Sequence, residues 1–458
     1  MSTNDYILNL LNIKDKNIKI LDGKQEIKKI KGNNYKIIEG YLTYIPSYCP
    51  NCGCVNETAN DIIKWGFRKN CKIKIPKISN CLSMLLLHKQ RFLCKHCKNT
   101  FIAETSLVER NRNISNNTDL QISLELSIKQ SEKDIAKRLG ISSSTVNRKL
   151  ESLSSKTILK NQFLPKIMNW DEFKATKDTT GKMAFIMLNN ETGEIYDIKD
   201  CRKKDYLEKY FRKYPYYERN KVKFICIDFY PGYISLARKL FKKAEIIIDK
   251  FHIVLQAYNV LNKARIKLCY KSNPNYNKLK NYWKLILKNE EELSEKKEYS
   301  KYFKKEISSK EIVTYLVNTD ETFKATYECY QGLLKAIKNK DIEKFKNIVY
   351  HSSNKISKDM KKVLKLYREN FDIVTNSLKY DINNGIIEGK NNLIKVIKRI
   401  SFGYRKFKHL TTRALLISNT IKGWFSSSWL YFNYIIKLMS TNTIWQRTEV
   451  FLFIVNTF

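Results

Sequence analysis

The chain has 458 residues, with 85 Lys+Arg against 45 Asp+Glu and a formal net charge of +40. Its hydrophobic fraction of 43% is that of an ordinary globular protein, and the length predicts about three domains. No apolar run reaches the ~18 residues of a spanning helix, which argues against a membrane-embedded chain. The start, Met1-Ser2-Thr3-Asn4-Asp5, lacks the basic-then-apolar layout of a signal peptide, so the chain reads as soluble and intracellular. An AT-rich coding bias would raise Lys, Asn, Ile and Tyr, but it would raise Glu too. The excess of cations points instead to a polyanionic partner. Seven of the eleven cysteines fall between Cys49 and Cys97, a local metal site in a reducing compartment rather than a disulfide scaffold.

Residues 1–45 alternate Ile, Leu and Tyr with Lys and Asp and predict a short helix followed by one or two strands. The next segment, 46–104, holds two C-x₂-C knuckles, Cys49-Pro50-Asn51-Cys52 and Cys94-Lys95-His96-Cys97. Each tight turn lets two thiolates meet one ion, and two turns complete a tetrahedral Zn²⁺ site. Strand-like runs at 64–68 and 85–92 predict a β-hairpin that brings the knuckles together. Cys54 is a competing ligand and His96 a polar residue between ligands. Cys71 and Cys81 read as ordinary residues of the hairpin. Reduced cysteines without metal are the plain alternative.

A polar helical stretch covers 115–160. Within it, residues 132–150 have the pattern of a helix-turn-helix. Ala136 is small where two helices cross, Gly140 supplies a left-handed turn residue, Ile141 and Val146 fill the space between, and Ser142 or Ser143 caps the second helix. That helix exposes Ser144, Asn147 and Arg148 to a major groove. A helical hairpin without DNA contact is the alternative. An α/β pattern follows over 165–260, with β-like runs at 183–188, 195–198, 222–227 and 246–248 and helices at about 203–213 and 233–243. From 260 to 380 the apolar spacing is almost entirely helical. A further helix covers about 386–400, and the end of the chain is aromatic and apolar.

Asp171 and Asp228 each end an apolar strand-like run, where α/β sheets gather ligands. Glu388 sits on the helix at 386–400. Asn391, Asn392, Lys395, Lys398 and Arg399 share its face, and Leu393, Ile397 and Ile400 take the other. One acid among amides and cations suits a DNA-facing surface, with the acid on a metal and the cations on phosphates. Two strand-end aspartates and a helical glutamate are the minimum for holding two Mg²⁺ ions about 3.5–4 Å apart on a phosphodiester. Taken singly, each aspartate also fits a turn or cap. Asp249 and His252 compete with them. The favoured reading makes Asp249 and His252 a supporting pair beside the site; the alternatives are Asp249 as second ligand in place of Asp228, or a helix cap with His252 packed.

The order of these features resembles the bacterial insertion-sequence transposases of the ISL3 family, within the DDE superfamily. The residues that carry the resemblance are the knuckles, the helix-turn-helix, Asp171-Glu172-Phe173, Asp228 with Pro231-Gly232-Tyr233, and Asp249-Lys250-Phe251-His252. The most specific are Asn384-Gly385-x-x-Glu388-Gly389-x-Asn391-x-x-Ile394-Lys395-x-x-Lys398-Arg399, continued by Gly403-Tyr404-Arg405, Phe407 and Arg413. The resemblance covers roughly 45–424 and implies a multidomain α+β chain. After an N-terminal segment (1–45) come a zinc ribbon (46–104), a helix-turn-helix (115–160) and a ribonuclease-H-like catalytic domain (165–260 and 380–424). An all-α insertion (261–379) interrupts that domain, and an apolar tail (425–458) has no counterpart. The resemblance implies that Asp171, Asp228 and Glu388 form a catalytic triad. These acids are expected to hold two Mg²⁺ ions, with Mn²⁺ able to substitute, while Lys395, Lys398, Arg399 and Arg405 neutralise phosphates. The expected partners are terminal inverted repeats and target DNA, with a homo-oligomer in the complex and no membrane. The expected place is the bacterial cytoplasm, at the nucleoid. A non-catalytic, repressor-like DNA-binding protein is the second reading. A tyrosine recombinase needs an Arg/His/Tyr constellation that the sequence does not offer.

Overall fold

The computed structural model describes residues 3–30, 32–58, 60–156 and 163–420; the tail at 425–458 lies outside them. The chain is a mixed α+β protein of two compact units. One joins the described residues up to 156 with those from 394 to 420, and the other holds 163–393. The stretch expected as catalytic at 380–424 is therefore divided between them. Among the described residues no helix is long and apolar enough to cross a membrane.

In the first unit, the helix Thr3–Leu10 leads into β1 (Ile18–Ile30) and β2 (Asn33–Leu42). The long hairpin of β3 (Ile62–Ile78) and β4 (Cys81–Cys94) follows, and β5 (Thr100–Ile102) adds to β4. The sheet order is β1-β2-β4-β3, with β2 and β4 parallel. Alternation decides the faces, as Leu85 and Leu87 of β4 point into a core with Ile18, Ile38 and Leu42 while Lys74 and Lys72 of β3 point elsewhere. The β3–β4 register slips between Lys64 and Phe67, where Gly66 takes a φ of +75° that a glycine adopts freely.

Three helices come next, Asn116–Leu126, Glu132–Leu139 and Ser143–Lys156. Gly140 turns between the last two at φ 62°. A Cβ there would meet Leu82 Cδ1 at 2.7 Å and Tyr35 Oη at 2.8 Å, so the position needs glycine twice over. Of the two candidate caps, Ser142 accepts from the Thr145 backbone N–H at 3.2 Å. Ile135, Ala136, Val146 and Leu150 form the core, and Leu416 of the C-terminal helix Phe407–Thr420 completes it. Arg413 of that helix is fully buried, and its guanidinium donates to the carbonyls of Leu126, Ile128 and Gln130 at the end of the helix Asn116–Leu126. Leu126 closes the helix, where carbonyls lack helical partners, and the Ile128 carbonyl also accepts the Gln130 backbone N–H at 2.9 Å.

The same C-terminal segment reaches Glu151, which accepts from Lys406 Nζ at 2.9 Å and His409 Nε2 at 2.6 Å. Lys406 and then His409 draw the Glu151 carboxyl down to about 2. A depressed carboxyl stabilises the fold above its unfolded pKa and loses that contribution as pH falls towards the folded value. Glu151→Gln is therefore expected to lower the melting temperature at neutral pH, with a difference that closes as pH drops towards about 2. A difference that stays constant across thermal melts over that range would contradict the assignment.

The second unit is built on β6 (Ile167–Lys174), β7 (Met183–Asn189), β8 (Glu194–Lys199), β9 (Phe224–Ile227) and β10 (Glu245–Ile248), in the order β10-β9-β6-β7-β8. β6, β7 and β8 form an antiparallel meander, while β9 and β10 run parallel to β6. The helices Lys204–Phe211 and Pro231–Leu240 connect and cover the sheet. Trp170, fully buried, stacks on Phe211 at 4.9 Å and meets Phe185, Tyr233 and Phe241 edge-on. The segment 261–379, expected to be all-α, contains a hairpin of β11 (Lys297–Ser300) and β12 (Lys305–Ser308). Ser300 and Ile307 point inward, and Tyr282 Oη meets Ser300 Oγ at 2.5 Å. This short strand pair lies in a lysine-rich run whose spacing reads as helix.

Candidate active site and metal centre

The β6–β9 pairing covers Ile167 to Asn169 of β6, with Asn169 opposite Cys226. Two residues further on, the register sets Asp171 level with Asp228, which directly follows β9. Asp228 stands past a strand end, as expected. Asp171 does not, because β6 stays paired to β7 as far as Lys174, with Asp171 opposite Ile186. The antiparallel neighbour extends the strand on one side while the parallel neighbour stops on the other. Asp171 therefore faces the opening where β6 and β9 part.

Burial, and after it the charge of Asp228, pushes the Asp171 carboxyl up to about 7. Its Oδ1 accepts from the Glu172 backbone N–H at 2.7 Å, and its Oδ2 from Asn391 Nδ2 at 2.6 Å. Asp228 Oδ1 lies 3.0 Å from His252 Nε2 and 3.4 Å from Asn384 Nδ2. The carboxylate beside it holds His252 more protonated than usual. His252 thus partners Asp228 rather than Asp249. Asp249, 7% exposed, begins the helix Lys250–Leu268 without a side-chain capping bond. It accepts instead from the Asn384 backbone N–H at 3.1 Å. Burial raises its pKa, and the Asn384 N–H works against that rise.

Glu388 lies in the first turn of the helix Gly385–Ile400 and is exposed. Its charge reaches Asp249. Among the described residues Asp171, Asp228 and Glu388 are not gathered tightly enough to hold a single ion. On this helix Ile387, Asn391, Ile394 and Ile397 are buried, while Glu388, Asn392, Lys395 and Arg399 are exposed. Asn391 therefore leaves the face on which the sequence put it. It turns inward because the carboxylate of Asp171 waits there, and its own Oδ1 stays buried without a hydrogen-bond partner. Lys398 is half-buried, and Arg405 is exposed in the turn after the helix.

The start of this helix is tied to the sheet by a chain of amides. Fully buried Asn169 donates to the Asn383 carbonyl at 2.9 Å and to Asn384 Oδ1 at 2.8 Å, and accepts from Asn190 Nδ2 at 2.8 Å. Asn384 O then accepts the Glu388 backbone N–H at 3.0 Å. The sequence reading missed Asn169 and Asn190. Asn169 does carry a signal, since it is the polar residue in an otherwise apolar run just ahead of Asp171. Glu172 pairs with Arg202 and meets Tyr233 Oη at 3.3 Å, which makes it a buttress beside the acids.

In the first unit the hairpin register sets Cys94 opposite Ile62, and the two knuckles converge. Cys49 and Cys97 Sγ are 3.8 Å apart, as are Cys52 and Cys94 Sγ, and all four sulfurs lie within 4.8 Å of one another. Tetrahedral ligation at ~2.3 Å requires sulfurs about 3.8 Å apart, so the cluster fits zinc. The Cys97 backbone N–H is the main reason that the Cys94 thiol is drawn down to about 7. Cys54 stays outside the group and donates to the Val55 carbonyl at 3.5 Å, and His96 is exposed.

Comparison with known proteins picks out a stretch that runs from this sheet through the helical segment into the C-terminal helix. Residues 169–414 match the model of a family described as transposase. The match covers more than half of the chain, which belongs to the ISL3 family of DDE transposases. A protein of Lactococcus lactis subsp. lactis named ATP-dependent protease is 28% identical over 118 residues, 25% of this chain and 38% of that protein. The chain thus spans under two-fifths of that relative, too small a share to carry over its activity.

Proposed function

We propose that the chain is a metal-dependent enzyme that cuts and rejoins DNA at the ends of a mobile element. The carrying observation is Asp171 level with Asp228 at the opening between β6 and β9, with Asp171 raised to about 7. Two carboxyls forced together in partial burial repel when both are ionised, which raises one pKa, and a cation between them relieves that repulsion. The donors are hard oxygens, including the orphaned Asn391 Oδ1, and suit Mg²⁺ or Mn²⁺. Asp171 and Asp228 would hold such ions, and Glu388 would close the shell from its helix. Two divalent cations there supply activation of the attacking oxygen and neutralisation of the leaving one. His252 holds Asp228 in place, Asn391 holds Asp171, and the amide chain through Asn169 and Asn384 sets the helix of Glu388. Lys395, Lys398, Arg399 and Arg405 would neutralise DNA phosphates.

The second unit's sheet supports a ribonuclease-H-like assignment. Counted along the chain its order is third-second-first-fourth-fifth, the first three strands antiparallel and the last two parallel to the first. The four-thiol module supports a zinc ribbon, and the turn at Gly140 a helix-turn-helix. These would bind the terminal inverted repeats in a homo-oligomeric complex at the bacterial nucleoid. The test is incision of a labelled terminal-repeat duplex. Cutting with Mg²⁺ and none with chelator is the expected result, whereas specific binding without any incision would favour the repressor-like reading.

Reading of bases falls to the helix Ser143–Lys156, on which Ser144, Asn147 and Arg148 are all exposed. Asn147→Ala and Arg148→Ala are expected to weaken terminal-repeat binding by about 1–3 kcal/mol each. Binding to unrelated duplexes, which is mostly phosphate electrostatics, should hold. Equal loss on every sequence in a filter-binding or anisotropy series would remove this helix from sequence readout.

A further inference from the structure

A groove of about 1640 Å³ runs along the first unit's sheet, between β3 and β4 on one side and residues 44–51 and 100–113 on the other. Small-molecule pockets hold ~300–1,000 Å³, so this one is sized for something larger. Its lining includes Arg68, Lys69, Lys72, Lys89 and Arg91. The groove's two ion pairs, Arg110 to Glu104 at 3.5 Å and Arg112 to Glu109 at 3.1 Å, engage none of the five. Among the described residues none of these five side chains has a carboxylate partner.

The register sharpens the point. Arg68 of β3 stands directly opposite Lys89 of β4. Like charges facing each other across a strand pair destabilise it, so this sheet keeps a repulsion that a polyanion laid in the groove would relieve. Tyr48, 60% exposed, adds an amphipathic ring to the lining.

We propose that this groove is a binding site for the phosphate backbone of duplex DNA, separate from the helix Ser143–Lys156. The proposal rests on the reading of the chain as a DNA transposase and adds a sequence-independent grip to it. The five cations contact successive phosphates and carry no base specificity.

The test uses the full chain and a fluorescent duplex of random sequence, followed by anisotropy across a salt series. Each lost phosphate contact should flatten the slope of log K against log salt by about 0.9. Combining Arg68→Gln, Lys89→Gln and Arg91→Gln should therefore flatten it by about 2.7, while zinc content stays at the wild-type value. The melting temperature should hold or rise, because the Arg68–Lys89 repulsion is gone. Lys69→Glu with Lys72→Glu, both at exposed positions, gives the same reading without touching β4. An unchanged slope in both variants overturns the groove assignment and leaves the transposase reading intact. A wild-type chain that binds no duplex at all overturns both.

Discussion

Asp171→Asn, Asp228→Asn and Glu388→Gln are each expected to abolish strand cleavage while binding to the element ends survives. Each change keeps the shape of the side chain and removes one negative charge from the group that would hold the cations. Losing several kcal/mol of transition-state charge stabilisation slows a reaction by about a thousandfold or more. Asp249→Asn serves as the control. Its carboxylate is engaged by the Asn384 backbone N–H at 3.1 Å, so its loss should loosen the Glu388 helix and give a smaller defect. Mn²⁺ should replace Mg²⁺, and Ca²⁺ should permit binding with little cutting. Single-turnover cleavage of a labelled duplex reads all of these. Normal cutting by Asp228→Asn with none by Asp249→Asn would make Asp249 the second ligand, and cutting without any divalent ion would end the two-metal reading.

The second large effect belongs to the thiols. Purified protein should contain about one zinc per chain, since four thiolates fill one tetrahedral ion. Cys94→Ser should lose it and unfold the first unit's hairpin. Apparent binding energies of structural zinc run to ~10–16 kcal/mol, as large as the whole stability of a typical domain at ~5–15 kcal/mol. Cys49 and Cys94 are fully buried, so a vacated cluster leaves thiols without partners inside the core. Cys54→Ser should change little, because that sulfur already meets the Val55 carbonyl outside the group. Elemental analysis and thermal melts check both variants. Zinc-free protein with an unchanged melt and unchanged DNA binding would refute the site.

What was legible in the sequence was whatever local spacing dictates. Two C-x₂-C turns, the glycine between two amphipathic helices, and the buried run ending at Asp228 each specify their surroundings within a few residues. What was hidden depends on partners far away. Asp171 looked like the end of a strand because the apolar run stops there, yet pairing to β7 continues to Lys174. Asn391 looked exposed on helical spacing, and only the approach of β6 turns it inward to Asp171. His252 sits three residues from Asp249 in sequence but reaches Asp228 in space. The β11–β12 hairpin was masked because lysines on its exposed face read equally well as helix.

The first unit is discontinuous in the chain: the helices Asn116–Leu126, Glu132–Leu139 and Ser143–Lys156 share their core with Leu416, and Arg413 donates to the carbonyls of Leu126 and Gln130. Synthesis must therefore run through the entire second unit before the core behind the helix of Asn147 and Arg148 can be completed. At ~5–20 residues per second the interval from Lys156 to Arg413 lasts roughly 10–50 s. A nascent or prematurely terminated chain lacks the last buttress of its proposed DNA-reading helix throughout that time. On the proposed function, fragments that stop short of Arg413 would be poor competitors for the element ends, and the order of translation would keep binding and catalysis in the same molecule.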